Sequence, residues 1–220
     1  MTKSIVLLSG GLDSLVSLGL EKENLNIELA LTFDYGQKSL SDEVFASEKI
    51  CDYYKIAHKT IALNFLKEIT NTSLVSNNDL PKGTNNPQES MKSVWVPNRN
   101  GLFLNIAGSF ADSYGYDYIV IGANKEEAET FPDNTKEFID RVNSEFEYST
   151  LKHPKVVAPL INYVKNDIVK LALKNNIPLE LTMSCYKGGG KHCGVCESCT
   201  RLKNALEYNH AQKYLNLIFG

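Results

Sequence analysis

The segment Ile5-Val6-Leu7-Leu8-Ser9-Gly10-Gly11-Leu12-Asp13-Ser14 most constrains how this chain can fold. A short β-branched and Leu run ends at a pair of glycines. After Asp13, the residues Leu15, Val16, Leu18 and Leu20 recur at helical spacing. That reads as strand, glycine turn, helix. Two glycines let the backbone turn tightly and approach a ligand closely. The start of the helix then offers free N–H groups and a partial positive charge, with Ser9 and Ser14 adding hydroxyls. Such a loop suits phosphate or pyrophosphate. It lacks the Gly-Lys-Ser/Thr ending of the common P-loop, and it is not the Gly-x-Gly-x-x-Gly dinucleotide fingerprint.

The same alternation continues downstream. Strands are expected at Glu28–Phe33, Lys59–Leu63, Tyr118–Ile121 and Val156–Ala158. Helices are expected over Ser41–Tyr54 with Ser41 as N-cap, near Leu66–Thr72, from Arg99 to Phe110, and over Lys136–Phe146, Asn166–Lys174 and Cys199–Asn209. Residues 72–97 are rich in Asn, Ser, Pro and Gly and read as a long mobile loop. Alternating strand and helix implies an α/β, Rossmann-like, doubly wound and mostly parallel sheet. Ligands of such folds sit beyond the carboxyl ends of the strands, which would gather Ser9–Ser14, Asp34–Gln37 and Gly122–Asn124 around one crevice. The boundaries read as an α/β domain over 1–183 and a cysteine-bearing segment with its helix over 184–220.

That last segment carries Cys185, Cys193, Cys196 and Cys199, four of the five cysteines. Without a visible signal peptide, such a cluster reads as a metal site before a disulfide framework. Tetrahedral zinc takes four thiolates, and the Cys-x2-Cys spacings let the backbone wrap the ion. All four positions being filled makes the site structural rather than catalytic. An iron–sulfur cluster is the rival, although the usual Cys-Pro ending is absent. His192 is a possible substitute ligand, and Cys51 reads as a small core residue. The formal net charge of −3 disfavours a general nucleic-acid binder. No apolar run approaches a membrane span, so a cytoplasmic protein is expected.

The glycine loop resembles the Ser-Gly-Gly-x-Asp-Ser pyrophosphate loop of the N-type ATP pyrophosphatases. Further segments extend the likeness: Phe33-Asp34-Tyr35-Gly36-Gln37, Val96-Pro97-Asn98-Arg99-Asn100, Ile121-Gly122-Ala123-Asn124, Phe131-Pro132-Asp133, Pro159-Leu160, and Ser184-Cys185-Tyr186 through Cys199. In this order they resemble the 7-cyano-7-deazaguanine (preQ0) synthase family, QueC. The resemblance implies ATP-dependent conversion of 7-carboxy-7-deazaguanine and ammonia to preQ0, with Mg²⁺ and a structural Zn²⁺, in a homodimer. It implies ATP contacts from Leu8, Ser9, Gly10, Gly11, Leu12, Asp13, Ser14 and Gly122. Arg99 and Lys165 are expected to clamp phosphates, with Ser9, Asp13 and Ser14 completing the catalytic set. Tyr35, Gln37, Phe131 and Asp133 are expected at the base. Three features depart from the family pattern near that pocket: Ser39 replaces a usual His, Asn134 replaces a usual Cys, and the Ser-Gly pair usual in this stretch is absent from Glu127-Ala128-Glu129-Thr130-Phe131-Pro132-Asp133-Asn134. Two rival readings are a pyrophosphate-loop tRNA-modifying enzyme and a non-enzymatic zinc module for nucleic acid, the latter favoured by Lys187, Lys191, His192, Arg201 and Lys203. The zinc-module reading leaves the glycine loop unexplained.

Overall fold

A computed structural model describes residues 2–82 and 87–220, with the backbone alone at 87–90. Five strands form one sheet: β1 (Ser4–Leu7), β2 (Ile27–Asp34), β3 (Ala57–Ala62), β4 (Tyr118–Val120) and β5 (Lys155–Val157). Their order is β3-β2-β1-β4-β5, and every pairing is parallel. The connections carry helices α1 (Leu12–Glu21), α2 (Leu40–Tyr54), α3 (Asn64–Ile69), α4 (Pro87–Val94), α5 (Arg99–Tyr114), α6 (Lys125–Ala128) and α7 (Lys136–Ser149). After β5 come α8 (Lys165–Lys174), α9 (Glu197–Tyr208) and α10 (Gln212–Phe219).

The central strands are covered on both faces, which is why β1, β2 and β4 read as apolar runs, while the edge strand β3 is mostly exposed and polar. Along β1, Ile5 and Leu7 enter one core, with Leu104 and Ala107 of α5 and Val142 and Phe146 of α7. Val6 and, just past the strand, Leu8 enter the opposite core, with Leu15 and Leu18 of α1, Ile168 and Val169 of α8, and Leu202 and Leu206 of α9. Cys51 lies in this second core, as its position predicts. Chain order reverses between β1 and β4, so the loops after these two strands diverge and leave a crevice at the sheet's carboxyl edge.

Three expectations are corrected. The stretch 72–97 is not one long loop. It contains α4, and its flanks bury Leu74, Val75, Val94 and Val96 in the first core; residues 83–86 lie outside the described residues. Second, α2 starts at Leu40, so Ser41 lies in its first turn and Ser39 occupies the N-cap. Third, the chain does not end its regular structure at Asn209, because α10 follows and lays Leu215, Ile218 and Phe219 against the second core.

Candidate functional site

The crevice is a cleft of about 250 Å³. Its floor is the glycine loop, between β1 and α1. Gly10 has φ +72°, and a Cβ there would sit 2.8 Å from the Ala46 Cβ, so only glycine lets α2 pack this closely. Ser14 Oγ donates to the Gly11 carbonyl at 3.0 Å and lies 3.3 Å from Ser9 Oγ. Across the floor, a Cβ on Gly122 would come within 2.9 Å of the Asp13 carbonyl carbon and the Ser14 nitrogen. The end of β4 is thus pressed against the first turn of α1. Helix α1 begins at this loop, and the partial positive charge of its first turn makes the floor suited to an anion.

One wall is ionic. Lys165, the first residue of α8, donates a short hydrogen bond to Asp13 Oδ2 and a second to Glu127 Oε1 at 2.8 Å. Burial alone would push the ammonium down, but Asp13 and Glu127 outweigh it and hold Lys165 firmly charged. Burial pushes the Asp13 carboxyl up to about 6, against the opposing pull of Lys165. Asp13 Oδ1 is buried with no hydrogen-bond partner among the described residues. Arg201 continues this wall by pairing with Glu197 and with Glu126 at 3.4 Å.

A second part of the lining is aromatic and built around Arg99. Arg99 opens α5 and donates to the Tyr35 hydroxyl at 3.2 Å, with its guanidinium 5.6 Å from the ring centroid. Burial opposes its charge, but Tyr35, Asp133 and Tyr186 around it hold Arg99 protonated. Burial raises Asp133 while Arg99 pulls the other way. Burial likewise pushes Tyr35 up to about 12. Phe131 stands parallel to Trp95, with centroids 6.2 Å apart.

The structure brings most of the expected residues to this cleft: Leu8, Ser9, Gly11, Leu12, Asp13, Ser14, Tyr35, Arg99, Gly122, Phe131, Asp133 and Lys165 all line it. Gln37 and Gly10 do not. Gln37 is buried and spends its amide internally. It accepts the Tyr35 N–H at 3.0 Å and donates to the Phe33 carbonyl at 2.9 Å and to Glu43 at 2.8 Å. Its place is therefore behind Tyr35, as a brace. Glu43, Glu127, Ser184, Tyr186, Glu197 and Arg201 also line the cleft and were not singled out as site residues by the sequence. Ser39 and Asn134, the two substituted positions, serve carboxylates. Ser39 Oγ donates to Glu43 at 2.6 Å, and the Asn134 amide donates to Asp133 at 3.2 Å. Each replacement can donate a hydrogen bond, and each carboxylate has one to accept.

The four cysteine sulfurs all lie within 4.8 Å of one another. Four thiolates at about 2.3 Å from one tetrahedral ion would be about 3.8 Å apart. Cys193 and Cys199 Sγ are 3.9 Å apart. Backbone N–H groups of Cys193 and Cys196 reach Cys185 and Cys193 sulfur at 3.4 and 3.3 Å, which favours thiolates. The set fits a single soft ion such as zinc. An iron–sulfur cluster interposes further atoms and needs wider separations. His192 is not required. Its Nε2 accepts the Ser184 N–H at 3.1 Å.

Comparison with known proteins decides the family. A family model described as "Queuosine biosynthesis protein QueC" matches residues 3–210. The chain belongs to the QueC family. A 7-cyano-7-deazaguanine synthase of Carboxydothermus hydrogenoformans is 51% identical over 211 residues, covering 93% of this chain and 98% of the relative. One of Methanosarcina mazei is 50% identical over 216 residues, covering 93% and 94%. Among solved structures, a 4-thiouridine synthetase–RNA complex with bound ATP shares the fold at a TM-score of 0.56 and 17% identity. That likeness spans 98% of this chain and 52% of the other. This QueC-family chain thus stands in queuosine biosynthesis, and the cleft is where its chemistry has to be sought. Among the described residues, no helix is long and apolar enough to cross a membrane.

Proposed function

We propose that this chain converts 7-carboxy-7-deazaguanine, ammonia and ATP to preQ0. The observation that carries the proposal is one cleft holding both an anion floor, Ser9 to Ser14, and a facing wall of Arg99, Tyr35, Phe131 and Asp133. A carboxylate is a poor electrophile because its oxygen leaves badly. One carboxylate oxygen attacks the α-phosphorus of ATP, and pyrophosphate departs. Ammonia then adds to the acyl carbon, AMP leaves with the oxygen, and a proton is lost to give the amide. The amide oxygen attacks a second ATP in the same way. Loss of AMP and of both N–H protons then leaves the nitrile.

The protein's part is positioning and charge neutralisation. The loop N–H groups and the Ser9 and Ser14 hydroxyls receive pyrophosphate. Lys165 and Arg99 both reach the phosphates, a mobile point charge and a planar fork. Phe131, backed by Trp95, offers a flat face to the deazaguanine, and Asp133 accepts its N–H edge. Asp13, with its unpartnered Oδ1, is the residue that would hold Mg²⁺, which supplies further neutralisation when bound. Zinc in the cysteine site is structural in this reading. A homodimer and a cytoplasmic location belong to the same proposal.

The deciding assay mixes the protein with MgATP, an ammonium salt and 7-carboxy-7-deazaguanine and follows products by mass spectrometry. Amide and then nitrile are expected, with AMP and pyrophosphate released. Nucleotide binding without either product would overturn the substrate and turn attention to tRNA.

Asp13 gives this reading a pH signature. Its folded pKa, about 6, lies above the ordinary carboxylate value, so the folded state binds this proton more tightly than the unfolded chain. Its contribution to stability is therefore present at low pH and lost as pH rises through about 6. Function runs the other way, because only the ionised carboxylate serves Mg²⁺ and Lys165. MgATP affinity is expected to climb as pH rises through this range, and Asp13→Asn is expected to flatten the climb. Calorimetric titration at several pH values checks it; an unchanged profile in the variant counts against Asp13.

A further inference from the structure

The segment 182–186 touches the glycine loop before it reaches the cysteines. The Met183 N–H donates to the Gly10 carbonyl at 2.7 Å, and Thr182 Oγ1 reaches the same oxygen at 3.4 Å. Ser184 Oγ accepts the Leu12 N–H at 3.2 Å. The next residue is Cys185, buried among the other three cysteines, and Tyr186 then returns to line the cleft. Farther on, the Gly190 N–H donates to Asp42 Oδ2 at 2.9 Å.

Ser184 differs from a serine that only closes a turn. It lines the same cleft as Ser9 and Ser14. Its oxygen is engaged by Leu12, the first residue of α1, whose N–H is one of the orphan donors that make a helix start attractive to anions. Its hydroxyl proton has no acceptor among the described residues. A donor free in an anion cleft, on a residue bonded to a metal ligand, joins two sites that the reaction does not otherwise connect.

We propose that Ser184 is a positioning residue of the phosphate cradle. It fixes the Leu12 end of the loop to Cys185 and turns its hydroxyl proton toward a nucleotide phosphate oxygen. The inference rests on the nucleotide reading of the cleft. It makes the metal and nucleotide sites thermodynamically coupled, and such coupling is reciprocal. Nucleotide must then tighten the metal by the factor by which metal tightens nucleotide.

The test uses the metal-loaded protein and its Ser184→Ala and Ser184→Thr variants. Metal content is measured by elemental analysis, MgATP affinity by calorimetry, and metal affinity by competition with a chromophoric chelator, with and without ATP. Ser184→Ala is expected to keep its full metal complement and to bind MgATP about tenfold more weakly, as for a lost hydrogen bond to a charged group. KM for ATP is expected to rise by a similar factor with a smaller change in kcat, and Ser184→Thr to restore most of it. Saturating ATP is expected to tighten metal binding several-fold in the wild type and not in Ser184→Ala. Equal ATP affinity in wild type and Ser184→Ala overturns the inference, as does an ATP effect on metal affinity that survives the substitution. Loss of metal from Ser184→Ala overturns it as well, because the serine would then serve only the folding of the metal site. A wild-type protein that binds no nucleotide overturns the nucleotide reading itself, and the role of Ser184 with it.

Discussion

Lys165→Ala is expected to lower the stability of the protein by about 3 kcal/mol, because removing one partner of a buried ion pair strands the other. Here it strands two. Asp13 and Glu127 both turn toward the ammonium, whose side chain is only 11% exposed, and among the described residues no second cation pairs with Asp13. For a chain of this length such a loss lowers Tm by roughly 6–12 °C. ATP turnover is expected to fall much further, by roughly 100- to 1000-fold, since a positioned cation at a charge-developing centre acts only in place. The two effects separate in a double variant. Lys165→Met with Asp13→Asn removes one stranded charge and should recover part of the Tm, but none of the turnover. Thermal unfolding and AMP release measure the pair. A Lys165→Ala protein as stable as the wild type would mean that water reaches Asp13 and Glu127, and full turnover would remove Lys165 from the chemistry.

Removing the metal is expected to have the larger structural effect. A structural zinc site is worth on the order of 10 kcal/mol of local folding free energy. Without the ion, four sulfurs within 4.8 Å of one another repel as soon as they ionise. The consequence travels along α9, which begins directly after Cys196 and carries Cys199 in its first turn. Leu202 and Leu206 of this helix share a core with Ile168 and Val169 of α8, the helix that presents Lys165. Chelation, or Cys199→Ala, is therefore expected to lower Tm by more than roughly 15 °C and, through Ser184, to weaken nucleotide binding several-fold. Amide exchange should accelerate over 183–208 and at the start of α8, while β1 and β2 stay protected. A stripped protein with an unchanged melting curve would falsify the structural role of the metal.

Most of the sheet was legible because β1, β2, β4 and β5 announce themselves by short runs of β-branched or Leu residues followed by turn residues, whereas β3, Ala57-His58-Lys59-Thr60-Ile61-Ala62, carries polar residues at an exposed edge. Both cores fall on those runs. The helix α4 was not legible. Its sequence, Pro87 to Val94, is mostly polar and lies beside an Asn- and Gly-rich stretch, and only Val94 among its described residues is buried. α10 was missed because it follows a turn at Asn209 and His210 that reads as an end. In the site, residues in glycine loops and motif positions were found, whereas Glu43, Glu127, Ser184 and Arg201 were not. These four sit on α2, on α6, before Cys185 and on α9, and only the crossings of the chain bring them together. Gln37 erred in the other direction. A polar residue after a strand looks like a ligand contact, and only the structure reveals that its amide is already fully engaged with Phe33, Tyr35 and Glu43.

The stacking of Trp95 on Phe131 has a practical use. Trp95 is the single tryptophan of the chain. It is half-buried, lines the cleft, and is held between the buried Val94 and Val96. Indole emission from this protein therefore originates at the wall proposed to face the base, with no background from elsewhere in the sequence. A planar, electron-rich heterocycle arriving beside Phe131 changes the surroundings of that one fluorophore. Occupancy of the cleft can be followed in real time, on unlabelled protein, and separately from any chemistry that follows.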